Sequence, residues 1–113
     1  MRPLLLTLGW AVVALIIYLS LTPHPPSINV EQGDKLGHAL AYATAMFWFA
    51  QLYVRSAVRL RYAIGFILLG VALEFIQAHV GRDFEVADMA ADAIGVALGW
   101  AVALFVPLRF FRR

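Results

Sequence analysis

The sequence predicts an all-α membrane protein, a bundle of four transmembrane helices with both termini on the same side. Three observations point there. The 113 residues are 63% apolar and only 14% charged, against roughly 25% charged in soluble domains. So few charged side chains would leave a small soluble fold under-covered, because short chains expose much of their surface. The apolar residues fall into four runs of membrane-spanning length, about 17–25 residues, and basic residues cluster beside alternate ends of those runs. One domain is expected over residues 1–113.

The first span is Leu4 to Leu21, free of charge. It is expected to be retained, because the run is long and Leu19-Ser20-Leu21-Thr22-Pro23 is not a small-x-small cleavage site. Pro23, Pro25 and Pro26 end it. Asp34 is placed to cap the second span, Leu36 to Val54, which contains His38. Arg55 to Arg61 reads as a connection. The third span, Tyr62 to Val80, contains Glu74 and His79; the fourth, Ala87 to Leu108, opens with Asp88 and Asp92. Trp10, Trp48 and Trp100 read as packing or lipid-facing, and Tyr18, Tyr53, Tyr62 and Phe110-Phe111 as interfacial aromatics.

Charge sets the orientation. Arg2, Arg55, Arg59, Arg61, Arg109, Arg112 and Arg113 fall on one side of a four-span arrangement, and only Lys35 and Arg82 on the other. The positive-inside rule makes the arginine side cytoplasmic. All carboxylates and imidazoles lie on or toward the opposite side, so any acid–base chemistry belongs to the outer face. The basic residues flank spans rather than forming a patch, so no nucleic-acid partner is expected.

The candidate site is the set of polar groups inside the spans. His38 and Asp92 each lie about 6 Å below the first residue of their stripe, and Glu74 about 9 Å deep, at 1.5 Å per residue. Asp34, His38 and Tyr42 share a helix face at i, i+4, i+8; Glu74 and Gln77 are neighbours at i, i+3. Asp88 and Asp92 lead into Gly95-x-x-x-Gly99, a close-approach motif. Ionisable groups in a membrane span are costly and mark functional sites by default. His38 and Glu74 are the candidate proton-handling pair, with Lys35 and Arg82 as countercharges. Asp34, Lys35, Tyr42, Gln77, Arg82, Asp88 and Asp92 complete a candidate binding site. Helix bridging is the plain structural alternative.

Other chemistries find less support. The chain has no cysteine, which excludes disulfides, thiolate metal sites and cysteine nucleophiles. No metal-ligand motif occurs, and Ser20, Ser27 and Ser56 lack a G-x-S-x-G setting. Neither a metal nor a cofactor is assigned. A faint internal echo relates Asp34-x-x-x-His38 to Asp88-x-x-x-Asp92 at an offset of 54 residues, as a parallel duplication of helical hairpins would.

Over residues 34 to 100 the chain resembles the VanZ-like family of small bacterial membrane proteins. The resemblance is carried by Asp34-Lys35-Leu36-Gly37-His38 with Tyr42, by Glu74-Phe75-Ile76-Gln77, and by Arg82, Asp83, Asp88, Asp92, Gly95 and Gly99. The family pattern usually has asparagine where Asp92 stands here. The resemblance implies a multi-pass protein of the bacterial cytoplasmic (inner) membrane, a role in the cell envelope, and a family link to resistance against the glycopeptide antibiotic teicoplanin. It does not settle whether the chain is an enzyme. The leading expectation is an outer-face site that binds or processes an envelope lipid or lipid-linked precursor. The alternatives are a non-enzymatic module assisting an envelope protein and a small proton-coupled transporter acting as a homo-oligomer.

Overall fold

The computed structural model describes residues 2–22, 33–79, 86–108 and Phe111. The chain is all-α: α1 (Arg2–Leu21), α2 (Gly33–Leu52), α3 (Ser56–Gln77) and α4 (Val86–Phe105) pack as a four-helix bundle. α2 touches the other three helices, and its most extensive partner is α4. α1 and α4 occupy opposite corners and are not neighbours among the described residues.

Three helices, α1, α3 and α4, are long and apolar enough to cross a membrane. α2 matches them in length at 20 residues but carries Asp34, Lys35, His38 and Gln51. Its polarity follows from its position. Tyr42, Ala45, Met46, Phe49, Ala50 and Gln51 are all at most 2% exposed, so α2 is enclosed by protein more than its neighbours are. The outward faces of the others are apolar. Leu4, Leu15 and Tyr18 on α1, Leu68 and Phe75 on α3, and Ile94, Leu98 and Phe105 on α4 are all more than half exposed. Outward faces this apolar, with the polar residues Glu74, Gln77, Asp88 and Asp92 turned inward, suit hydrocarbon rather than water. The exposed Thr7 and Thr44 return their hydroxyls to carbonyls of their own helices, Pro3 and Leu40, at 2.8 Å, which satisfies them without solvent. The long dimension is 44 Å, comparable with a bilayer of ~40–45 Å including headgroups.

Up-down-up-down order is visible in the contacts. Trp48 Nε1 donates to Leu5 O at 2.7 Å and Arg2 Nη2 to Leu52 O at 2.6 Å, so the start of α1 lies beside the end of α2. Gln77 Nε2 donates to Ser20 O at 2.8 Å, joining the ends of α1 and α3. Gln51 donates to Val106 O at 2.7 Å and accepts from Leu108 N at 2.9 Å. α2 and α4 therefore run parallel. Glycine sets their separation: a Cβ on Gly95 would overlap Ala39 O, and one on Gly99 would overlap Ala43 O. Both helices thus meet backbone to backbone along the motif.

α3 begins at Ser56, six residues before the expected Tyr62. The early start has a use. It points Arg59, only 5% exposed, back at the end of α2, where Nε and Nη2 reach Ala50 O at 3.0 and 2.7 Å and Nε reaches Tyr53 O at 2.9 Å. The last carbonyls of a helix have no partner within it, and Arg59 with Arg2 supplies one. The arginines of this end are thus not all alike. Arg2 and Arg59 finish α2, while Arg55 and Arg61 are exposed. A ring cluster of Trp10, Phe49, Tyr53, Tyr62 and Phe66 packs behind them, with Phe49 and Tyr62 stacked at 4.6 Å. Phe111, expected among the interfacial aromatics, is packed into the bundle; it is 1% exposed and meets Trp48 edge-on at 4.8 Å.

Candidate polar site at the acidic end

The opposite end of the bundle gathers polar groups from all four helices. His38 lies within the second turn of α2, and Asp92 in the corresponding turn of α4. His38 Nδ1 stands 2.7 Å from Asp92 Oδ1, donating to the carboxylate. That geometry leaves Nε2 on the other edge of the ring, 3.8 Å from Asp88 Oδ2. Asp88 sits one turn above Asp92 and also has Lys35 Nζ 3.9 Å from Oδ1. The site is enclosed: Asp92 is 2% exposed and Asp88 6%.

α3 completes the wall through a glycine. A Cβ on Gly70 would fall 2.5 Å from Asp92 Oδ2 and 3.2 Å from its Cβ and Cγ. The missing side chain is the notch that lets the Asp92 carboxylate lie between α2 and α3. One turn further along α3, Glu74 is 1% exposed and within electrostatic range of both His38 and Tyr42. Tyr42, 2% exposed, forms the floor one turn below His38.

The expected residues therefore divide into groups. His38, Asp88, Asp92 and Lys35 come together directly. Glu74 and Tyr42 close the same region from α3 and α2. The hydrogen-bond partner of His38 is Asp92, where the sequence suggested Glu74. Gln77 has a different task, since its amide ties α3 to Ser20 of α1. Asp34 falls in the first turn of α2 rather than at its cap, and its side chain lies outside the described residues, as does Arg82. His79 is exposed and bonds Phe75 O at 3.0 Å, away from the cluster.

No family model, curated protein or solved structure matches the chain. The chemistry must be judged from the site itself. Among the described residues no group of three or more His, Asp or Glu is arranged to hold a metal ion. What the arrangement offers is an oriented imidazole. A carboxylate on Nδ1 fixes the ring and its tautomer, which leaves Nε2, turned to Asp88, as the nitrogen with a proton-accepting lone pair. Lys35, with its side chain 30% exposed, brings a cation to within 3.9 Å of Asp88 at the edge of the cluster. Gly70 is the member that sequence reading missed. Its signal was its spacing, one helical turn before Glu74 on the same face.

Proposed function

We propose that the chain is a multi-pass membrane protein in which all four helices cross the bilayer. α2 is carried across within the enclosure of its neighbours. The arginine end is cytoplasmic, and so are both termini. The polar site then opens on the outer face, where it binds the polar end of an envelope lipid or lipid-linked precursor. His38 exchanges a proton through Nε2, Asp92 orients it, and Asp88, Glu74 and Lys35 shape the charge around it. The carrying observation is the enclosed His38–Asp92 hydrogen bond of 2.7 Å, with the second ring nitrogen turned to Asp88. The resemblance to VanZ-like proteins rests on the same residues and supports an envelope role, with the teicoplanin link as its widest extension.

A second reading is favoured by one observation: Gln77–Ser20 and His38–Asp92 both join helices. Under it the site is a brace in a non-enzymatic module. The two readings separate by experiment. Wild type and His38→Gln are reconstituted in nanodiscs and offered a panel of envelope lipids and lipid-linked precursors. Saturable binding or turnover that His38→Gln removes supports the first reading. Its absence across the panel, with a co-purifying envelope protein instead, supports the second.

A further inference from the structure

A second candidate ligand site lies away from the acidic end. α1 and α3 are separated by an apolar groove of about 480 Å³, within the usual range of ~300–1,000 Å³ for ligand pockets. Its floor is Val13 and Phe66, both buried. Its width comes from Gly65, where an added Cβ would meet nothing within 4 Å. Along α3 it runs from Arg61 to Leu69, about 12 Å at the helical rise. Its polar end is therefore an arginine. Arg61 is exposed, in contrast to Arg2 and Arg59, whose guanidinium groups finish α2.

We propose that this groove holds an acyl chain of an anionic phospholipid, with the lipid phosphate on Arg61. The inference rests on the membrane placement argued above but not on the polar site. Charge complementarity selects the occupant. The groove starts at Arg61, near the arginine end, and runs from there through the middle of α1 and α3; basic pockets between transmembrane helices on the cytoplasmic side bind anionic headgroups. A guanidinium meets a phosphate through paired N–H donors. Tyr62 beside Arg61 provides an amphipathic ring towards the headgroup end, and Trp10, near the middle of α1, adds to the groove's wall for the acyl chain.

The test is native mass spectrometry of the detergent-solubilised chain with added phosphatidylglycerol or phosphatidylcholine. Wild type should retain one phosphatidylglycerol in preference to phosphatidylcholine. Arg61→Gln should lower that retention about fivefold, the value of one basic residue at a lipid surface. Gly65→Leu should fill the groove and abolish retention while the helix remains folded, since leucine is a better helix former than glycine. Folding is checked by thermal unfolding of the same samples. Equal retention of the two lipids overturns the proposal, as does unchanged retention in Gly65→Leu. Dissociation of an oligomer by Gly65→Leu would assign the groove to a second copy and overturn it too. The His38 imidazole resonances should be unchanged in Arg61→Gln and Gly65→Leu, which separates this site from the polar one.

Discussion

Asp92 accepts a 2.7 Å hydrogen bond from His38, a residue 54 positions earlier in the chain. That offset is the one relating Asp34-x-x-x-His38 to Asp88-x-x-x-Asp92. The two stripes open helices that run parallel, and their second members meet. A glycine on each side makes the meeting possible. Gly95 brings α4 onto α2, and Gly70 clears α3 from the Asp92 carboxylate.

The carboxamide at position 92 tests how much of this contact depends on charge. Asp92→Asn keeps an oxygen that can accept from His38 Nδ1, so the fold should survive with a loss of about 1 kcal/mol or less. Asp92→Ala strands the ring and should cost about 1–3 kcal/mol. Reversible unfolding in detergent gives both values. Equal losses would mean that the carboxamide does not replace the carboxylate as an acceptor.

Glycines 65 and 70 lie five positions apart on α3 and should respond oppositely. Gly70→Ala drives a methyl into Asp92 and should disturb the histidine, seen as a shift of the His38 imidazole resonances. Gly65→Ala meets open space and should raise stability by up to about 1 kcal/mol through helix propensity. If both changes leave the His38 resonances in place, Gly70 is not the notch described above.

Gly95 and Gly99 face backbone, which cannot rotate aside as a carboxylate can. Gly99→Ala should separate α2 from α4 and cost about 1–3 kcal/mol, the range for overpacking. The loss should exceed that of Gly70→Ala in the same unfolding assay. A neutral Gly99→Ala would contradict the close parallel contact.

Arginines at the other end should also divide. Arg59→Met removes the donors to Ala50 O and Tyr53 O and should cost about 1.5–3 kcal/mol, as for hydrogen bonds to charged groups. Arg61→Gln should leave the unfolding midpoint unchanged. Comparable losses in the two would remove the distinction between a capping arginine and an exposed one.

Much of this was legible in the sequence because it depends on composition and period. Four apolar runs gave four helices, and the segregation of Arg from His, Asp and Glu gave a bundle with two chemically different ends. The Gly95-x-x-x-Gly99 motif announced a close approach without naming α2 as its partner. Pairwise geometry was not legible. His38, Glu74 and Asp92 lie at similar depth, but depth does not fix rotation about a helix axis, and His38 faces Asp92. The start of α3 was hidden because three arginines within Arg55 to Arg61 read as a connection. Only the neighbouring helix end shows why Arg59 belongs inside. The lower apolarity of α2 makes sense only once its neighbours are seen to enclose it.

The most direct test asks whether the polar pair is kept for chemistry or for stability. His38→Ala combined with Asp92→Leu removes both partners and lets leucine fill the space the ring vacates. Replacing both members of a buried polar pair by apolar groups is often neutral or stabilising. If the pair serves a site, the unfolding midpoint of the double variant in detergent should equal or exceed that of wild type. A clear fall in the midpoint would make His38 and Asp92 a structural brace and contradict the functional assignment.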